Sequence, residues 1–368
     1  MTCTDLRWTC TVAGATIGGV IPETMAAVLL TGHGGLERLE YRTDVPTPRP
    51  APGEVLVQVA AAGVNNTDVN TRIGWYSKDG EDADATWSGV PLAFPRIQGA
   101  DVAGHVVEVG DDVAPGRVGE RVIVRTMLLG PTGGRPYACW TLGSECDGGF
   151  AQYVAVPASD TVTVENDWSD VELAAIPCAY STAENMIQRA GLAAERVLVT
   201  GASGGVGLAA VQLARRRGAS VVAVCSSAKA DDVRTQGAEE TLDRDADVLA
   251  ALGPRSVDVV LDLVGGPSTT RLLDVLRPGG RYATSGAIGG PLAEIDLRTL
   301  YLNDLSMLGC TYQAASVFTD LVGYVERSEI RPVVSGVYPL AEIGRAQEDF
   351  LTKTRTGKLV LVPPGSSS

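Results

Sequence analysis

The sequence predicts an α/β protein of two domains, one strand-rich and barrel-like, the other a doubly wound parallel sheet. Three observations point there. At 368 residues the chain is too long for one ordinary core. The run Val197-Leu198-Val199-Thr200 reads as a buried parallel strand, and Gly201-Ala202-Ser203-Gly204-Gly205-Val206-Gly207 then leads into helical periodicity from Leu208 to Arg217. Strands with long loops dominate up to about residue 177, and beyond it strands alternate with helices.

Taken in order, Met25 looks like the natural start of the fold, because Ala26 to Leu30 reads as a first strand. Residues 1–24 are then an extension or an alternative translation start. The turn Arg49-Pro50-Ala51-Pro52-Gly53-Glu54 precedes a strand from Val55 to Ala60. Further strands run from Gly104 to Val109 and from Arg121 to Thr126. The loop from Gly74 to Pro95 holds Trp75, Tyr76, Trp87 and Phe94, which either line a cleft or pin the loop to the surface. A second long loop spans Leu129 to Gly149. Tyr180 to Ala190 is helical in pattern, with Pro177 before it and Gly191 placed to end it. Strands follow at Ser220 to Cys225 and Val257 to Val264, and Leu276 to Tyr282 holds a helix end, a turn and the next strand. From Arg331 the chain returns to extended segments, Val333 to Tyr338 and Gly357 to Val362, so the parallel-sheet domain is inserted within the first.

Composition excludes several classes. A net charge of -14 leaves no basic stripe to neutralise phosphates, which argues against a nucleic-acid partner. No run of eighteen apolar residues could span a bilayer. Residues 1–24 carry Arg7 as their one basic side chain beside Asp5 and Glu23, a poor secretory signal, so the expected location is cytoplasmic. Seven scattered cysteines are not a disulfide framework, and Cys139 and Cys146 lack the neighbours of a zinc site. The two histidines, His33 and His105, leave a Ser-His-Asp triad without a base, since His105 sits within a strand.

The glycine run carries the chemistry. Glycines at the end of a parallel strand let backbone approach a pyrophosphate, and the next helix offers unpaired N–H groups and a positive dipole end. The fingerprint reads Ala202-x-Gly204-x-x-Gly207, with Ala202 where glycine is usual. A dinucleotide there implies redox chemistry.

Other motifs line up with it. Gly63-Val64-Asn65-Asn66-Thr67-Asp68, Ile97-Gln98-Gly99-Ala100-Asp101-Val102-Ala103-Gly104 and Gly148-Gly149-Phe150-Ala151-Gln152-Tyr153 come first. Ser181-Thr182-Ala183, the glycine fingerprint, Arg277-Pro278-Gly279-Gly280 and Gly357-Lys358-Leu359-Val360 follow. In this order they resemble the medium-chain dehydrogenase/reductase superfamily, in its zinc-free quinone oxidoreductase and enoyl reductase-like branch, from Met25 to about Val362. The resemblance implies a GroES-like substrate domain (25–177 and 321–368) around a Rossmann dinucleotide-binding domain (178–320). Zinc-dependent members place a cysteine, a histidine and a cysteine where this chain has Asn65, Ala100 and Cys178. One thiolate cannot hold a catalytic zinc, which needs about three protein ligands. No metal is therefore expected.

The second strand ends Val224-Cys225-Ser226-Ser227-Ala228-Lys229, with no carboxylate before Asp231. Two hydroxyls and an ammonium suit a 2′-phosphate, so NADPH is the expected cofactor, read by Ser226, Ser227 and Lys229. Lys229 could also merely open the next helix in solvent. Without a metal, the natural reaction is hydride addition to a quinone or an α,β-unsaturated carbonyl. By resemblance Asn65 faces the nicotinamide and substrate, with Asp68 anchoring the loop or relaying protons. Thr182 would touch the nicotinamide or its ribose, and Tyr76 could donate to the substrate oxygen. Asn65, Asn66, Asp68 and Thr182 also suit plain capping roles. Val264, Gly265, Gly286 and Ala287 should line the nicotinamide side. Rival readings are a pathway-specific reductase or cyclisation enzyme acting on a bulky enone, and a non-catalytic NADPH-binding protein. Leu297 to Tyr312 is either the contact of a homodimer or internal core.

Overall fold

The computed structural model describes residues 20–77 and 86–366, so most of the expected extension and the centre of the aromatic loop fall outside it. The first unit begins with β1 (Thr24–Leu30), β2 (Leu39–Pro46) and β3 (Glu54–Val64), followed by the short helix α1 (Asn66–Arg72). Then come β4 (Arg96–Ile97), β5 (Ala103–Val109), β6 (Arg121–Val124), β7 (Tyr153–Pro157) and β8 (Thr161–Thr163). β3 organises this unit. Its apolar residues bury both faces, it pairs antiparallel with β5 and β7, and its last residues are left for a strand from the far end of the chain.

The chain then enters the helical region through α2 (Asp170–Leu173) and α3 (Pro177–Ala190). Pro177 takes the first turn of α3, where its missing N–H costs nothing, and Gly191 ends the helix at φ 58°. Next are β9 (Arg196–Val199), α4 (Gly205–Arg216), β10 (Ser220–Cys225), α5 (Ala230–Thr235), β11 (Glu240–Asp243) and α6 (Val248–Leu252). β12 (Val257–Asp262), α7 (Thr269–Asp274), β13 (Leu276–Thr284), α8 (Leu297–Leu302), β14 (Ser306–Gly309) and α9 (Ala315–Glu326) complete the unit.

Its six strands are parallel in the order β11-β10-β9-β12-β13-β14. Side-chain alternation explains the two layers. Val197, Val199, Val221 and Ala223 pack in the core that holds α3, α4 and α9, whereas Leu198, Val222 and Val224 face the side of α7. The chain reverses direction between β9 and β12, which opens the crevice where such sheets receive ligands.

After α9 the chain crosses back. β15 (Val334–Pro339), the amphipathic α10 (Ile343–Leu351) and β16 (Lys358–Val362) follow, and β16 pairs antiparallel with the end of β3, Leu359 opposite Val64. The returning extended segments are thus strands of the first unit, and that register sets Lys358 beside Asn65. No helix among the described residues is long and apolar enough to cross a membrane.

Candidate functional site

The glycine turn after β9 is shaped for a phosphate. Gly201 adopts φ 59°, one residue ahead of the fingerprint, so the left-handed step is made before Ala202 and that position needs no glycine. A Cβ on Gly204 would meet only the Gly201 carbonyl, at 3.5 Å, so backbone there stays approachable. A Cβ on Gly207 would stand 2.2 Å from the Gly201 carbonyl, so this glycine permits the close passage of α4 under the turn. No side chain caps α4, whose N-cap is Gly204. Ser203, Gly204, Gly205 and Val206 therefore frame a helix end whose N–H groups suit a pyrophosphate.

Opposite, Val264, Gly265, Gly286 and Ala287 do come together. A Cβ on Gly265 would lie 3.2 Å from the Gly286 carbonyl and from Ala287 Cα, so the two strand-end segments touch there. Val264 Cγ2 borders Gly201 as well. Asp262, fully buried, pins this wall: it accepts from Val264 N at 2.9 Å, from Gly265 N and from Tyr282, and Thr200 donates to it at 2.5 Å. Sequence reasoning passed over Asp262, whose signal was a carboxylate closing the apolar run Val259-Val260-Leu261.

Around the expected 2′-phosphate site the structure changes the picture. Ser227 donates through its backbone N–H (2.9 Å) and its hydroxyl to Asp243 at the end of β11. A carboxylate therefore does stand beside the end of β10, contributed by the neighbouring strand. The Lys229 ammonium is not loose in solvent; it donates to the carbonyls of Lys353 at 2.5 Å and Arg355 at 2.7 Å. Ser226 caps the short turn before α5 without a side-chain hydrogen bond. Cations crowd this corner. Burial, together with Lys229, pushes Lys353 down to about 8, and burial, together with Arg244, lowers Lys229.

The substrate-domain side is a buried polar cluster. Asn65 is 6% exposed, and its Nδ2 donates to Asp101 Oδ2 at 2.7 Å and to the Gly63 carbonyl at 3.3 Å. Its Oδ1 accepts from the Lys358 ammonium at 2.5 Å. Lys358 also donates to Asp101 Oδ2 at 2.8 Å and to the Val64 carbonyl at 3.0 Å, and Cys178 N donates to Asp101 Oδ1 at 2.6 Å. Both ends of the Asn65 amide are thus engaged by protein groups, and here it presents no donor to a substrate oxygen. Sequence reasoning quoted Asp101 and Lys358 inside motifs without giving them this role.

Asp68 accepts from Asn65 N at 2.7 Å across the first turn of α1, and Gln98 Nε2 donates to the Asp68 carbonyl at 2.8 Å. Burial raises its carboxyl to about 7 despite the backbone N–H groups of Asn65 and Ala100. This geometry anchors the loop. Thr182 lies a turn inside α3, whose N-cap is Ile176, so it is not a capping residue. It is half-buried, and its hydroxyl bonds the Cys178 thiol, which burial and then Asp101 hold protonated. Tyr76 donates to Thr67 Oγ1 at 3.1 Å and meets Trp87 edge-on at 5.9 Å, so the loop aromatics pack on α1. Thr67, one residue beyond Asn66 in a motif already singled out, is a hydroxyl that sequence reasoning left unassigned.

Comparison with known proteins fits this architecture. Residues 51–166 match the alcohol dehydrogenase GroES-like domain, and residues 205–327 match the zinc-binding dehydrogenase domain. The chain is 31% identical to acryloyl-coenzyme A reductase of Metallosphaera sedula, over 92% of this chain and 99% of that one. It is 29% identical to quinone oxidoreductase of Rattus norvegicus, over 92% and 98%. A crystal structure from Sinorhizobium meliloti 1021, provisionally described as an alcohol dehydrogenase, superposes with a TM-score of 0.88 at 50% identity, covering 93% of this chain and 98% of that one. The chain belongs to the medium-chain dehydrogenase/reductase superfamily of nicotinamide-dependent oxidoreductases, in its quinone oxidoreductase and enoyl reductase-like branch.

Proposed function

We propose that this protein is an NADPH-dependent oxidoreductase that reduces a quinone or an α,β-unsaturated carbonyl without a metal. The observation that carries the reading is the Lys358–Asn65–Asp101 cluster, in which Asn65 takes the place where, by resemblance, zinc-dependent members carry a cysteine donor. Those donor positions do not fit zinc. Ala100 offers no ligand atom, Cys178 is a single thiol where about three ligands are needed, and an ammonium sits 2.5 Å from Asn65 Oδ1, where it would repel a dication. Alcohol oxidation, which relies on a cation to stabilise alkoxide, is disfavoured. Conjugated acceptors need no such help.

When bound, the dihydronicotinamide supplies the hydride. The chain's own residues then have three tasks. The uncapped end of α4 and the Gly265–Ala287 wall hold the dinucleotide across the crevice. The Asn65 cluster keeps the end of β3 rigid. The Thr67 hydroxyl accepts from Tyr76, so its own O–H is left to donate a hydrogen bond to the acceptor oxygen as charge develops there.

The preference for NADPH rests on Lys229, Lys353 and Arg244. Burial and then like charge lower Lys229 and Lys353, and a 2′-phosphate would offset both. Asp243 opposes the preference, but it is one carboxylate whose oxygens already accept from Ser227 and Asp245 N. The test is turnover of a panel of simple quinones, enones and enoyl thioesters with NADPH and with NADH. The expected result is NADPH turnover with at least one of these classes, and a Lys353→Met variant whose NADPH:NADH ratio falls about tenfold. Affinity for NADPH should weaken as pH rises through about 8, where Lys353 loses its charge, and the variant should lack that slope. Tight NADPH binding without turnover of any class would favour a non-catalytic role. Turnover of a single bulky enone alone would favour a pathway-specific enzyme.

A further inference from the structure

We infer that Lys358 is a positioning residue that couples the cofactor's glycine loop to the substrate loop, so that each ligand tightens the grip on the other. The inference rests on the two-ligand reading above. Its basis is a continuous chain of contacts through one residue. Gly357 N donates to the Ser203 carbonyl at 3.0 Å, and Gly204 and Gly357 form an isolated parallel bridge, so the strand carrying Lys358 is bonded directly to the fingerprint turn. The stem of Lys358 then passes beneath the first residue of α4. A Cβ on Gly205 would lie 2.7 Å from Lys358 Cδ, so stem and helix end cannot move independently. At its far end the ammonium holds the Val64 carbonyl, Asn65 Oδ1 and Asp101 Oδ2.

An ammonium has three donors, and all three are used. Lys358 is 3% exposed and Asp101 fully buried, so water does not substitute for these bonds. A pyrophosphate at the start of α4 would fix Gly204 and Gly205, and through them the Lys358 stem. The ammonium would then fix Val64 and Asn65, two residues before the Thr67 hydroxyl. Reciprocity follows from linkage: whatever the acceptor gains from the cofactor, the cofactor gains from the acceptor. No separate hinge is needed.

The experiment measures NADP+ binding by calorimetry with and without 9,10-phenanthrenequinone, an oxidised pair that cannot react. The full-length wild-type chain should bind NADP+ at least about fivefold more tightly when the quinone is present. In Lys358→Met that ratio should fall to about one. Because the single change leaves Asp101 buried and unpaired, Asp101→Asn/Lys358→Met serves as the charge-balanced variant and should also lose the ratio. If neither folds, Lys358→Arg keeps the charge but replaces the compact three-donor ammonium with a longer planar fork, and should lower the ratio while retaining a near-wild-type melting temperature. A wild-type ratio of one, or a folded variant that keeps the wild-type ratio, overturns the inference. Absence of quinone and enone turnover in the wild type would instead defeat the functional reading, because the binding ratio is measured without reaction.

Discussion

At the residue scale the site turns on how buried charges are arranged. Lys358 and Asp101 neutralise each other, and Asn65 is held between them by both ends of its amide. Removing one member of such a set strands the other, so the cluster should tolerate paired changes better than single ones. Asp68 is a different case. Its carboxyl is raised from 3.8 to about 7, chiefly by burial. Between those two values the folded chain binds the proton more tightly than the unfolded chain, so Asp68 makes stability fall as pH rises from about 4 to about 7. Asp68→Asn keeps an acceptor for Asn65 N and removes the ionisation. In urea titrations at about pH 5 and about pH 8, the variant should gain on the wild type by about 2 kcal/mol at the higher pH. Parallel losses in the two proteins would show that Asp68 is already ionised in the folded chain.

At the element scale, two glycines separate backbone demand from close packing. Gly191 needs only its left-handed φ of 58°, since a Cβ there would meet nothing within 4 Å. Gly191→Ala should therefore cost about 1 kcal/mol and leave cofactor binding unchanged. Gly207→Ala would drive a methyl against the Gly201 carbonyl and lift α4 from the fingerprint turn. It should cost more than Gly191→Ala in thermal unfolding and weaken NADPH binding at least tenfold by nicotinamide fluorescence titration. Equal effects of the two changes would contradict the role given to the turn. This turn was legible in sequence because its signals lie within a dozen residues, although Gly357 and Lys358 brace it from the far end of the chain. The strand before it, the positive φ and the helix after it are local signals. Lys358–Asp101 was not legible, because its members are 257 positions apart and meet only through the register of β16 on β3. Asp243 escaped for the same reason, reaching Ser227 from a neighbouring strand. Local readings find cradles; lattices of buried charge need the fold.

At the scale of the whole molecule, one edge of the parallel sheet is left open. β14 is one terminal strand; its Met307 is exposed, as are Leu297, Tyr301 and Leu302 of α8. An exposed apolar edge is a pairing template, and a second copy placed by a twofold axis would cover it. Sedimentation should give a dimer, and Leu302→Glu with Met307→Lys should give a folded monomer. A wild-type monomer would leave that edge without its proposed partner. The stretch from Leu297 to Tyr312 was ambiguous in sequence because leucines in helical spacing describe a core and an interface equally well.

The central proposal is that an internal ammonium, not a metal ion, organises the cleft in which a conjugated acceptor is reduced. Its most direct test is elemental analysis of the purified protein, paired with NADPH-dependent quinone and enone turnover before and after exhaustive dialysis against a chelator. The expected result is no stoichiometric zinc and undiminished turnover. Zinc at about one per chain, whose removal abolishes turnover and whose return restores it, would contradict the account.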